Sequence, residues 1–174
     1  MNFFNRNSML ATGIQTTSLF REYEDLLGAM GLKLVEINRL DRGKTVSVSI
    51  VILAKDAEVT VDHCAKVYRL VYPRMELQLA ERDLQLEVST PGLQRNLKDV
   101  YEFSLFVGKR VRVYDTAKEA WLSGIIQDSD ETSVTLTEVF IEDNKDMQEN
   151  MVVEFASIQK AKLDYRWEDN SHGN

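Results

Sequence analysis

The sequence predicts an α+β protein of two domains: a two-layer α/β domain of order αββαβ, then a small β-barrel. Three observations carry this. A helix-period apolar stripe, Leu19, Phe20, Tyr23, Leu26, Leu27 and Met30, gives way to alternation at Val46, Val48, Ile50 and Ile52. One Pro-Gly dipeptide, Pro91-Gly92, punctuates the chain. Beyond it, short β-period segments follow one another with acidic turns between them. The expected organisation is a loose N-terminal tail over 1–16, the α/β domain over 17–90, a linker over 91–98, the barrel over 99–164 and a second tail over 165–174.

In the first helix, Thr16, Thr17 and Ser18 offer N-caps, and Gly31 is placed to end it at C′. Residues 34–37 read as a strand, Asp41-Arg42-Gly43-Lys44 as a turn and 45–52 as a second strand. Together they make a hairpin whose tip carries Arg39, Arg42 and Lys44. A second helix starts at Thr60 or Asp62, with Cys64, Val67, Val71 and Met75 as its stripe. Pro73 lies within it and predicts a kink or break near Tyr72, because proline removes a donor and clashes with the preceding turn. Leu84, Leu86 and Val88 form a third strand, and both helices are expected on one face of the sheet. In the second half, Asp99 to Phe106 predicts a short helix. Strands are expected at 110–114, 120–127, 133–140, 151–154 and 158–163.

Composition narrows the function classes. With 44% hydrophobic and 28% charged residues the chain is globular, not disordered. The single cysteine, Cys64, excludes an intramolecular disulfide, and with only two histidines it cannot build a four-ligand Cys/His zinc site. No apolar run is long enough to span a membrane. The N-terminus lacks a signal-like apolar stretch, so the expected location is the cytoplasm, without membrane partners. The net charge of −7 opposes a basic coat for nucleic acid. That charge is segregated. From Asp128 to Glu149 eight acids stand against Lys145 alone, whereas Pro91 to Arg112 has five bases against Asp99 and Glu102.

Catalytic chemistry finds little footing. His63 and Cys64 are adjacent at a helix start, but neighbouring helix residues point about 100° apart. Cys64 also sits on the apolar stripe, as buried structural thiols do. No G-x-S-x-G, H-E-x-x-H or phosphate-cradling glycine loop occurs. Asp128-Ser129-Asp130-Glu131 lacks the glycine and glutamate of a calcium loop, with Val139 at the twelfth position. No metal or cofactor is expected. Tyr101, Phe103, Phe106 and Trp121 read as core aromatics before stacking platforms.

Leu86-Glu87-Val88-Ser89-Thr90-Pro91-Gly92-Leu93-Gln94-Arg95-Asn96-Leu97, followed by Phe106-Val107-Gly108-Lys109-Arg110-Val111, resembles the ribosome maturation factor RimP family. The family's usual run is Leu-Glu-Val-Ser-Ser-Pro-Gly-Leu-Asp-Arg-Pro-Leu, then Phe-x-Gly-Lys. Val61-Asp62-His63-Cys64, Trp121-x-x-Gly124 and Ile158-Gln159-Lys160-Ala161-Lys162-Leu163 agree in order, so the resemblance covers roughly Phe20 to Asp164. Thr90, Gln94, Asn96 and Pro73 depart from it, and the loop from Glu142 to Asn150 is long.

The resemblance implies an Sm-like or SH3-like barrel behind the α/β domain. It also implies a non-enzymatic factor that binds the free small (30S) ribosomal subunit, with ribosomal RNA and a basic small-subunit protein as partners, acting as a monomer. The basic residues best placed for RNA are Arg42, Lys44, Arg95, Lys109 and Arg110. Ser89, Pro91, Gly92, Leu93 and Arg95 form the interdomain motif. There Gly92 is expected at positive φ in a type II turn and Arg95 in the interdomain groove. Asp128, Asp130, Glu131, Glu142, Asp143 and Asp146 are the expected docking surface for the ribosomal protein. The alternative function is a free-standing Sm-like RNA-binding module acting on small RNAs. It would need a basic barrel, yet 91–174 holds ten bases and sixteen acids.

Overall fold

The computed structural model describes residues 10–166. The chain divides into two compact units, Ile14–Pro91 and, together with residues up to Gly13, Gly92 onward.

The first unit is a three-stranded sheet of order β1-β2-β3 with two helices. Helix α1 (Ser18–Gly28) starts at Thr17, whose hydroxyl accepts the Phe20 amide. It ends three residues before the expected glycine. Ala29 is the C-cap, and Gly31 takes positive φ two residues later to turn the chain into β1 (Leu32–Arg42). β1 is longer than expected and carries a bulge at Leu34/Glu36. The bulge places both Leu34 and Val35 in the core. β2 (Thr45–Ala54) returns antiparallel through a Gly43-Lys44 turn. Its Val46, Val48, Ile50 and Ile52 are buried, as the alternation requires.

Helix α2 (Val61–Leu79) carries the chain across so that β3 (Asp83–Ser89) lies parallel to β2. Thr60 is its N-cap, and His63 completes a capping box by accepting the Thr60 amide at 2.9 Å. The expected break at Pro73 does not occur, and the helix runs on to Leu79. The buried stripe is Val67, Val71, Met75 and Leu79. Pro73 and Arg69, whose carbonyl the proline deprives of its helical donor, both lie on the exposed side, so the lost bond is not buried. Leu19 and Tyr23 of α1 and Met75 and Leu79 of α2 close over Val46 and Val48, so both helices cover one face.

The second unit is a five-stranded antiparallel sheet of order β7-β6-β5-β4-β8. Its strands are β4 (Arg110–Asp115), β5 (Ala120–Ser129), β6 (Ser133–Ile141), β7 (Gln148–Glu154) and β8 (Ile158–Leu163). A short helix, α3 (Glu102–Leu105), precedes them. The outermost strands β7 and β8 are joined by a three-residue 3-10 turn, Phe155–Ser157. A flat sheet of five strands would hold its edges about 19 Å apart, more than four Cα steps can reach. The sheet therefore coils into a small barrel. Val111, Val113, Leu122, Ile126, Val134, Leu136, Val139 and Ile158 fill its interior, and Phe103 packs against Phe155 with ring centroids 5.0 Å apart.

Three expectations are corrected here. Residues 10–16 are not a loose tail. Ala11 donates to the Lys98 carbonyl and accepts from the Val100 amide, and Ile14–Thr16 forms a 3-10 turn. The remainder of that tail, and all of the second tail beyond Arg166, lie outside the described residues. Gly92 is not at positive φ, and the turn falls two residues later, closed by the Arg95 amide on the Gly92 carbonyl at 3.1 Å. Trp121 is not core. The inward set of β5 is Ala120, Leu122, Gly124 and Ile126, so the pleat turns Trp121 outward, where it is half-buried.

Gly124 faces β6 so closely that an added Cβ would lie 3.1 Å from both Leu136 Cβ and the Thr137 carbonyl oxygen. Gly124→Ala should cost about 1–3 kcal/mol, read as a lower urea midpoint. Gly92→Ala meets nothing within 4 Å and should stay within about 0.5 kcal/mol of the parent.

Candidate nucleic-acid interface

The basic residues expected to contact RNA are not brought together. Arg42 and Lys44 are exposed at the β1–β2 hairpin tip of the first unit. That tip is held from below. Arg39 donates to Asp41 at 2.8 Å, Arg82 pairs with Asp41 at 3.0 Å, and Arg82 also donates to the Gly43 carbonyl. Hydrogen bonds from Arg39 and then Arg82 hold the Asp41 carboxyl down at about 2. A depressed carboxyl stabilises the folded tip above its unfolded value and loses that contribution progressively as pH falls from that value through about 2.

Arg95 and Arg110 are interior groups. Arg95, with 9% of its side chain exposed, pairs with Glu102 within the second unit. The other Glu102 oxygen accepts the Lys98 amide at 2.8 Å and the Asp99 amide at 3.1 Å, in the manner of a capping box. Asp99 in turn accepts the Tyr101 amide. The same segment lies along β8. The Leu97 amide donates to the Ala161 carbonyl, the Leu163 amide to the Arg95 carbonyl, and Asn96 bridges Lys162. Burial with a paired carboxylate, not exposure in a groove, is thus the fate of Arg95. Arg110, 6% exposed, reaches Glu138 on β6. Of the five candidates, Lys109 alone is an exposed base at the start of β4.

The acidic candidates also separate. Asp130 and Glu131 lie in the β5–β6 turn, with Asp128 at the end of β5, whereas Glu142, Asp143 and Asp146 lie in the β6–β7 loop. The nine-residue β6 stands between them, a length of about 25 Å. Asp130 is occupied by its own turn. It accepts the Thr132 and Ser133 amides at 2.7 and 2.8 Å, and these bonds lower its carboxyl. Ser89 closes β3, and Pro91, Gly92 and Leu93 lead into the turn that precedes Arg95, with Leu93 exposed.

Register assembles what the sequence reading passed over. Arg112 on β4 faces Ser123 on β5 and Lys162 on β8, and Tyr114 faces Trp121 and Lys160. All of these lie on the barrel's outer face, because Val111, Val113 and Asp115 alternate inward. Arg112 sits 4.8 Å from the centre of the Trp121 ring, and Tyr114 meets Trp121 edge-on at 5.4 Å. Arg112, Lys160 and Lys162 are exposed. The nearby Asp164 is engaged by Arg166 and Ser123. The sequence signal was there: Lys160 and Lys162 are two apart on a strand, as are Arg112 and Tyr114. It needed the β4–β8 register to become a surface.

Cys64 is half-buried, and burial pushes its thiol up, away from nucleophilic chemistry. Among the described residues no cluster of His, Cys, Asp and Glu could hold a metal ion, and no helix is long and apolar enough to cross a membrane.

Because Glu102 is buried and answered by Arg95, removing either partner leaves an uncompensated charge. Arg95→Ala should lower stability by about 3–5 kcal/mol in chemical denaturation. Arg42→Ala and Lys44→Ala, at exposed sites, should each change it by no more than about 0.5 kcal/mol.

Comparison with known proteins follows this architecture. Residues 23–94 match the family model for the RimP N-terminal domain. The chain is 25% identical over 149 residues to the ribosome maturation factor RimP of Borreliella burgdorferi strain ZS7, covering 86% of this chain and 95% of that protein. It is 23% identical over the same length to that of Borrelia garinii subsp. bavariensis. Among solved structures it is similar to the SmAP (LSm) protein of Methanococcus vannielii, at 20% identity and TM-score 0.34 over 37% of this chain and 92% of that one. An Sm-like protein of Archaeoglobus fulgidus aligns at 19% identity and TM-score 0.32, over 34% and 85%. A family model that spans the first unit and ends within the Pro-Gly motif, and relatives that align across both units, have one common account: the chain belongs to the RimP family of ribosome maturation factors.

Proposed function

We propose that the protein is a non-enzymatic assembly factor that binds the free small (30S) ribosomal subunit in the cytoplasm and promotes its maturation. The observation that carries this reading is the alignment with RimP relatives over 86% of the chain, spanning both units. The charge distribution supports it. The barrel's sheet runs from acidic β7, with Glu149 and Glu154, to basic β8, with Lys160 and Lys162. A particle built of polyanionic RNA and basic proteins offers a complement to each end. The small-RNA module is the weaker reading, since its RNA would meet a barrel half with a net charge of −6 over 91–174.

Sedimentation of the protein with cell lysate tests the proposal. Co-migration with free small subunits, and its absence from assembled ribosomes, is the expected result. Migration at the top of the gradient under low salt would exclude it.

For the ribosomal-protein contact, the β6–β7 loop is the better half of the divided acidic candidate. Glu142, Asp143 and Asp146 are exposed there, Met147 adds apolar surface in the same loop, and Val152 adds more on the edge strand β7. Neutralising the three acids to Gln and Asn should slow association with a basic small-subunit protein by about tenfold at low salt, with the difference vanishing at high salt. Neutralising Asp128 and Glu131 at the other end should have a smaller effect on the same association rate.

A further inference from the structure

We propose that the outer face of β5-β4-β8 is a binding site for single-stranded RNA, with Arg112, Tyr114 and Trp121 as the base-stacking platform and Lys160 and Lys162 as phosphate contacts. This deepens the ribosomal reading and rests on it for the RNA's origin.

The two rows of the face are set by backbone register, Ser123–Arg112–Lys162 and Trp121–Tyr114–Lys160. They lie about 7 Å apart, two residues along each strand. Three cations therefore flank an aromatic pair, the combination by which proteins hold a single strand: charge along the backbone, planar groups for the bases. Arg112 serves both needs, because a guanidinium carried on an indole ring offers charge and a stacking plane together. Among the described residues no carboxylate pairs with Lys160 or Lys162.

The ordinary explanation for lysines on an outer strand is protection of a free sheet edge. It does not apply here. The far side of β8 is already paired by the backbone of residues 95–97, through the Leu97 and Leu163 amides and the Asn96–Lys162 bridge. Lys162 lies within that paired stretch, Ala161 to Leu163, and Lys160 stands next to it. A duplex would suit this face poorly, since its base planes are hidden and A-form RNA is read by shape. The acidic β6–β7 side repels the strand and confines it to this end of the barrel.

Fluorescence anisotropy with the full chain and a labelled 12-nucleotide single strand, its duplex, and heparin tests the assignment. The single strand should bind more tightly than the duplex. Lys160→Gln with Lys162→Gln should flatten the log affinity against log salt slope by about 0.7 for each lysine. Arg112→Lys and Tyr114→Leu should each weaken single-strand binding by about tenfold while leaving heparin binding unchanged, as expected for lost stacking. Arg112→Lys is at an exposed position, so its reading does not depend on whether Tyr114→Leu folds. Equal binding of duplex and single strand, equal loss for RNA and heparin, or variants indistinguishable from the parent would each overturn the site. Co-sedimentation of the parent chain keeps the two readings apart. Small-subunit binding without oligonucleotide binding removes this face and leaves the assembly role. Oligonucleotide binding without subunit binding does the reverse.

Discussion

The second unit depends on the buried carboxylate of Glu102. A carboxylate this deep is tolerated only when its charge and lone pairs are answered. Arg95 answers one oxygen and the Lys98 and Asp99 amides the other. That requirement fixes the segment between Arg95 and Glu102 as a closed loop. Once fixed, its backbone lies along the end of β8 and pairs the outer edge from Ala161 to Leu163. The arginine of the family-like motif is thus a structural element, and its conformational effect is felt on the barrel's surface.

Covering β8 has an electrostatic consequence. The strand order places the basic strands β4 and β8 side by side and leaves the acidic segments in the connections at either end of β6. A domain with a net negative charge over its sequence therefore presents a positive face. Whole-chain charge cannot report this, because it averages two ends that point in different directions. In the first unit the hairpin-tip bases stand over an Arg39–Asp41–Arg82 cluster that ties the turn to the residue before β3.

The same residues show why pattern and function separate. Arg42, Lys44 and Lys109 are where loop chemistry placed them, exposed at turns or strand starts. Arg95 and Arg110 share their sequence neighbourhood and composition, yet each is drawn inward by a glutamate seven or 28 residues away. An ion pair across such a distance leaves no local trace. The acidic stretch behaves in the same way. It is continuous in the chain and divided in space, because a strand of nine residues runs through its middle.

The order and kind of elements were legible in the sequence because they follow from local periodicity. The stripe from Leu19 to Leu27 could only be a helix face, and Val46 to Ile52 only a half-buried strand. Thr17 and Thr60 acted as caps because their hydroxyls need only amides three residues on. The bulge in β1, the unbroken passage of α2 through Pro73 and the outward turn of Trp121 were decided elsewhere. Each depends on which side of an element faces the core. The candidate interface is the fullest case. Its lysines and its aromatics are separated by some forty residues, and only the pairing of β4 with both β5 and β8 sets them on one surface. Sequence determines what a residue offers to its immediate neighbours; hydrogen-bond register between distant strands determines which of those offers are made together.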